Sequence, residues 1–139
     1  MSIREVGNND TLLMYNEETL AVSIKVKEEI WQWDQGYNPY FRIKEEKVYF
    51  KDSKKIEHFE WQTGVGVGIR SKFNEFEIEG KIDPLSFETI TWIEYATGNV
   101  YFELVPLTES LVQIGDFYWP GQMAFTKKSH EWYSVVNVL

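Results

Sequence analysis

Apolar residues in this chain recur at every second position, and that period constrains the fold more than any other feature. In residues 20–27 (LAVSIKVK), Leu20, Val22, Ile24 and Val26 are apolar, while Ser23, Lys25 and Lys27 fill alternate places. This is the pattern of a strand with one face in the core and one in water. Residues 73–79 repeat it with one slip between Phe73 and Phe76, which predicts a β-bulge. Short strands are expected at 40–43 and 47–50, joined through Lys44, Glu45 and Glu46.

The clearest element is a hairpin. Residues 87–95 and 100–105 are rich in β-branched and aromatic side chains, which suit a pleated, half-buried surface. Between them Thr97, Gly98 and Asn99 tolerate the backbone of a tight turn. Pro106 should end the second arm, because proline cannot donate to a ladder. A further strand is expected from Leu111 through Ile114 and on from Phe117 to Trp119, interrupted at Gly115 and Asp116 and stopped by Pro120-Gly121. The last apolar run, 132–139, implies either a strand held in the sheet or a chain cut from something longer. Helical periodicity is nowhere sustained; residues 28–33 (EEIWQW) could form a single helical turn. Short strands punctuated by Gly, Pro and Asn predict an all-β fold, an antiparallel β-sandwich in one domain over 1–139.

Charge and composition then exclude several functions. The formal charge is −8 over 139 residues, so the chain lacks the basic stripe that displaces counterions from nucleic acid. The mixed run at 51–55 (KDSKK) is a solvated turn or strand edge. The same acidity opposes anionic membranes, and no apolar stretch nears the ~20 residues needed to span a bilayer. There is no cysteine, hence no disulfide, thiolate site or cysteine nucleophile. Two histidines, His58 and His130, are too few for a histidine-rich metal site; both sit in polar stretches and are expected at the surface. No cofactor is expected. The N-terminus has neither the charged start nor the apolar run of a signal peptide, so a cytoplasmic location is expected.

Residues 63–71 (TGVGVGIRS) invite comparison with nucleotide loops, but no lysine follows the glycines, and the pattern beyond is a strand rather than a helix. Alternating glycines instead leave one strand face bare. Either an aromatic ring from the other sheet or a ligand or neighbouring domain should lie close against it. Glu88, Glu94 and Glu103 alternate with apolar residues and should face solvent; no catalytic pair, nucleophile elbow or acid–base couple can be assigned.

Aromatic residues make up 17% of the chain. Trp61, Trp92 and Trp132 fall in strand-like patterns and are expected in the core. Trp31, Trp33, Tyr37 and Tyr40 cluster about Asp34, Gln35, Gly36, Asn38 and Pro39, which is loop chemistry. Exposed rings beside Asp, Gln and Asn suit a sugar, whose C–H faces stack while its hydroxyls find partners. Tyr118 and Trp119, before Pro120 and Gly121, form a second such turn. Trp31, Trp33, Tyr37 and Trp119 are therefore the candidate carbohydrate contacts. The alternative is that these rings cover the sandwich or pack on a neighbouring domain.

Residues 61–71, 91–103 and 117–121, in that order and spacing, resemble the N-terminal β-sandwich of bacterial α-glucosidase-like proteins related to glycoside hydrolase family 31. Residues 132–139 resemble the strand that leads onward to the catalytic barrel. The resemblance covers roughly residues 11 to 139. It implies a supersandwich of the galactose-mutarotase-like type, packed in the parent enzyme against a TIM barrel. The nucleophile and acid of that family are aspartates of the barrel. Nothing here corresponds to them, so no catalytic residue carries over, and glycoside hydrolysis would require a downstream barrel. The resulting expectation is a non-catalytic accessory domain that braces such a barrel and borders a glycan. Two rivals stand beside it. One is an acidic inhibitor or immunity protein for a basic partner, which a charge of −8 would steer. The other is a small barrel around an apolar ligand.

Overall fold

The computed structural model describes residues 3–7, 10–33, 38–108, 114–120, 123–127 and 130–134. In chain order the strands are β1 (Ile3–Gly7), β2 (Thr11–Asn16), β3 (Val22–Val26), β4 (Glu29–Trp33), β5 (Tyr40–Ile43), β6 (Glu46–Tyr49), β7 (Lys55–Gln62), β8 (Gly66–Ile78), β9 (Lys81–Glu94), β10 (Val100–Pro106), β11 (Phe117–Tyr118), β12 (Met123–Lys127) and β13 (His130–Ser134). A 3-10 turn, Phe50–Asp52, is the one helical piece among the described residues.

Three sheets result. The largest has the order β1-β2-β3-β4-β12-β13, the second β10-β9-β8-β7, and a small third β11-β5-β6. Their pairings are antiparallel. The six-stranded sheet lies over the four-stranded one, with β1 against β8 and β2 against β9. The fold is an all-β sandwich, as the period of two requires.

Alternation places the core. On β2, Thr11, Leu13 and Tyr15 are buried; on β3, Val22 and Ile24 are buried while Lys25 is exposed. Facing them, β8 contributes Ile69, Ser71 and Phe73, and β9 contributes Phe87, Thr89, Thr91 and Ile93. The bulge falls where the sequence slips: the β8–β9 register shifts between Asn74 and Phe76, and Glu75 takes a φ of 60°. The extra residue lets Phe73 and Phe76 point to the same side, and both are fully buried. The small sheet closes one end of the core. Its Phe41 and Phe117, with Phe50, surround Phe87 at centroid distances of 4.8 to 5.8 Å.

Several expectations need correcting. Residues 28–33 make no helical turn: Glu29–Trp33 is a strand between β3 and β12. Trp31 therefore sits within a strand rather than a loop, pairs with Ile24, and is partly buried against the core. The strand expected from 111 to 119 shrinks to Phe117–Tyr118, with 111–113 outside the described residues. Of the final apolar run, Trp132 to Ser134 belong to β13, and 135–139 lie outside the description. The 87–105 hairpin forms as expected, turning at Gly98 with a φ of 74° and ending at Pro106.

Candidate functional site

The bare glycine strand organises one outer surface. Trp61 on β7 pairs with Gly68 on β8, Gly68 with Trp92 on β9, and Trp92 with Tyr101 on β10. Directly paired residues project to the same side of a sheet, so these four form one row across the face turned away from the core. The Trp61 and Trp92 rings meet 5.1 Å apart above Gly68, and Trp92 stacks on Tyr101 at 4.7 Å. The Trp92 Nε1–H donates to Glu103 Oε2 at 3.0 Å. The next row joins Phe59, Arg70, Ile90 and Glu103. There the Arg70 guanidinium lies 5.0 Å from the Phe59 ring centre and its Nε 3.8 Å from Glu88 Oε2.

This settles what covers the glycines and corrects two expectations. The ring against Gly66 and Gly68 is Trp92, from the neighbouring strand of the same sheet rather than the opposite one. A Cβ on Gly66 would stand 2.4 Å from Trp92 Cε3. Trp61 and Trp92 are not core residues but half-buried members of the outer face. Glu88, Glu94 and Glu103 do point to that outer face, opposite the buried Phe87, Thr89, Thr91, Ile93 and Phe102.

The small sheet carries a second aromatic row. Tyr118, Tyr40 and Tyr49 pair in sequence across β11, β5 and β6. Tyr40 and Tyr118 stack at 4.5 Å and 17°, and Tyr49 meets Tyr40 edge-on at 5.9 Å. Three cations gather over these rings despite the acidity of the chain. The Arg42 guanidinium is 5.5 Å from the Tyr118 centroid, Lys47 Nζ 4.6 Å from that of Tyr40, and Lys51 Nζ 5.7 Å from that of Tyr49. A hydrogen bond to Tyr40, with the nearby Tyr118 adding to it, raises the Arg42 pKa further. Beside this face a groove of about 460 Å³ runs between charged walls that include Lys47, Asp52, Lys54 and Glu77.

Of the four candidate carbohydrate contacts, the side chains of Trp31 and Trp119 fall among the described residues. Trp119 is 4% exposed and packs edge-on against Phe102 at 5.6 Å, so it presents no face to a ligand. Its apolar bulk fills the core while its neighbour Tyr118 points outward. Trp31 packs partly buried against the core. The backbone of Trp33 ends β4, and its side chain lies outside the description, as does Tyr37. What does come together is Tyr40 from the first aromatic turn and Tyr118 from the second. The signal for this was their paired residue types, but only strand register could join them.

Inside the sandwich a polar chain links the two large sheets. The Tyr15 hydroxyl lies 3.2 Å from Ser71 Oγ, which lies 2.7 Å from His58 Nδ1. Arg4 pairs with Glu17 and donates to the His58 carbonyl at 3.3 Å. His58 is thus no surface residue: it is half-buried and edge-on to Tyr15. Burial lowers its pKa, and the Arg4 charge does so too against an opposing contribution from Glu17. Burial also pushes the Tyr15 phenol well above its ordinary range. Although a serine and a histidine are in contact, Ser71 is 1% exposed, and no substrate carbonyl could reach it. Among the described residues no group of three His, Cys, Asp or Glu side chains could hold a metal.

No family model matches the sequence, and neither does any curated protein. Solved structures do match. The Bifidobacterium bifidum α-N-acetylgalactosaminidase NagBb, in its GalNAc complex, is 30% identical over 87% of this chain with a TM-score of 0.78. The Gal-NHAc-DNJ complex gives the same identity and score over 86%, and the ligand-free enzyme 31% and 0.75 over 86%. The likeness is to a glycosidase. This chain spans only 18 to 19% of those chains. What it matches is therefore a segment of a glycosidase chain. The family-31 form of the resemblance gives way, because the matched enzyme acts on α-N-acetylgalactosaminides by its name.

Proposed function

We propose that this chain is a non-catalytic β-sandwich accessory domain of an α-glycosidase-type, carbohydrate-active protein, bracing the part of the polypeptide that holds the catalytic groups. The observation that carries this reading is the likeness, at 30% identity, to less than a fifth of a glycosidase chain. The chemistry of the sandwich agrees with it. The Ser71–His58 contact is sealed between sheets, and the outward carboxylates Glu88 and Glu103 are engaged by Arg70 and Trp92.

Glycan contact, in this reading, falls to the tyrosine face of the small sheet. Tyr118 is 39% exposed, and Arg42 and Lys47 beside it supply donors for sugar hydroxyls, the combination of apolar ring and oriented polar groups that sugar sites use.

The test assays the full-length gene product and the isolated 139-residue chain against p-nitrophenyl α-N-acetylgalactosaminide and α-glucosides. Hydrolysis by the former and none by the latter is expected. Turnover by the isolated chain would refute the non-catalytic role, and a full-length product inert on every α-glycoside would refute the glycosidase context.

A further inference from the structure

We infer that the outer face of the four-stranded sheet is the surface by which this domain seats against the remainder of the glycosidase polypeptide. The inference rests on the accessory-domain reading and names the face that it leaves open.

The face is unusual among the described surfaces. Half-buried Phe59, Trp61, Trp92 and Tyr101, with the buried Ile90 among them, occupy two adjacent rows turned away from the core. Large contiguous apolar patches are uncommon on the free surface of a soluble domain and mark places where another surface packs. The outer face of the six-stranded sheet carries Leu12, Met14 and Ile30 interspersed with Ser23, Lys25 and Gln32, and no aromatic row is paired across β2 and β3 there. The tyrosine face of the small sheet is topped by three cations.

Ring geometry chooses protein over sugar as the occupant. Sugar stacking needs an open aromatic face. Trp92 is flanked by Trp61 on one side and Tyr101 on the other, at 5.1 and 4.7 Å, and its N–H is committed to Glu103. The centre of the row therefore offers ring edges and aliphatic surface, the substance of a protein–protein core. Room for such an occupant exists in the reading itself: in the matched enzyme about four-fifths of the chain lies outside the segment that this one covers. The charge on the face narrows its chemistry. Glu57, Glu88, Glu94 and Glu103 share the surface with Lys55, Arg70 and Lys72, an acidic excess of one on a chain of net charge −8. The surface that seats here should be an apolar centre ringed by lysine and arginine.

Hydroxyl-radical footprinting of the full-length polypeptide tests this. Corrected for intrinsic reactivity, Trp61 and Tyr101 should oxidise about tenfold more slowly than Met14 and Ile30 on the outer face of the six-stranded sheet, since interface cores pack as densely as interiors. A Trp61→Glu substitution in the same polypeptide should restore fast oxidation of Tyr101. Equal rates in the wild-type polypeptide would overturn the inference. So would protection that disappears on dilution in step with a dimer-to-monomer change in sedimentation, because the occupant would then be a second copy. A polypeptide that hydrolyses α-glycosides yet leaves the face unprotected sinks this inference alone. One with no glycosidase activity and the face unprotected sinks the accessory reading with it.

Discussion

Trp61 and Trp92 touch although their strands are not neighbours: the rings lie 5.1 Å apart because Gly68, on the strand between, has no side chain to separate them. Strands in a sheet are spaced by ~4.8 Å, so residues two strands apart are normally held off by the intervening side chain. Here a glycine converts that gap into an aromatic contact. The alternation of Gly66 and Gly68 along β8 is thus explained by packing on the sheet's own outer face.

Substituting those glycines should reveal the arrangement. A Cβ at Gly68 would meet the Thr91 carbonyl oxygen at 2.1 Å and Trp92 Cα at 2.6 Å, so backbone would have to move. Gly68→Ala is expected to destabilise the fold by about 3 kcal/mol, the upper part of the range for overpacking. Gly66→Ala meets the Trp92 ring at 2.4 Å and the Ile93 carbonyl oxygen at 2.6 Å, and should cost about 1–3 kcal/mol as ring and backbone shift. Gly64→Ala, with nothing within 4 Å, should stay within about 0.5 kcal/mol. Urea unfolding followed by tryptophan fluorescence would rank the three; a Gly68→Ala midpoint equal to that of Gly64→Ala would contradict the packing.

The second prediction concerns Phe87, which joins the small sheet to the sandwich. It lies within 5.8 Å, centroid to centroid, of Phe41, Phe50, Phe73, Phe76 and Phe117 and is 1% exposed. Phe87→Ala should lose about 3–5 kcal/mol, the usual cost of a phenylalanine-sized cavity. That is a large part of the 5–15 kcal/mol total typical of such domains. Phe87→Leu should lose much less and keep the chain folded. Thermal melts of both variants check this, and a near-wild-type Tm for Phe87→Ala would mean the cluster can collapse around the gap.

A third concerns the tyrosine face. Tyr40 and Tyr118 stack at 4.5 Å, and stacked aromatic pairs contribute about 0.5–1.5 kcal/mol beyond their buried area. A double-mutant cycle with Tyr40→Ala and Tyr118→Ala should return a coupling in that range. A coupling indistinguishable from zero would leave the two rings energetically independent.

How far this architecture was legible in the sequence depended on how local each interaction is. The 87–105 hairpin was readable because its arms and its turn lie in one stretch. The bulge was readable because Phe73 and Phe76, three apart, can share a face only around an extra residue. Residues 11–16 hid their strand, since Leu12 and Met14 are apolar on the outward side and blur the period. Glu29–Trp33 looked like a helical turn because its partners, β3 and β12, lie on either side of it only after folding, one of them some ninety positions along the chain. The tyrosine face escaped the sequence for the same reason. Tyr40 and Tyr118 meet through register alone, and Trp119, just past the end of β11, turns into the core while Tyr118 is exposed.

His58 gives the last prediction, with its sign set by burial. Its Nδ1 lies 2.7 Å from Ser71 Oγ, within the chain that ties the sheets together through Tyr15. Burial first, and then the Arg4 charge, depress its pKa below the ordinary 6.5, while Glu17 opposes them. The folded protein therefore holds the ring neutral at a pH where the unfolded chain has begun to bind a proton. In that window the unfolded state carries more protons, so stability rises with pH. The contribution is fully present above about 6.5 and is lost as the pH falls from there toward the lower folded value. Urea midpoints measured at about pH 7.5 and about pH 5.5 should fall more for the wild type than for His58→Gln, whose side chain does not titrate. Because carboxylates titrate alike in both proteins, the difference between the two falls isolates the imidazole. If His58→Gln lost as much stability over that interval as the wild type, the buried neutral ring would not be the source of the acid sensitivity.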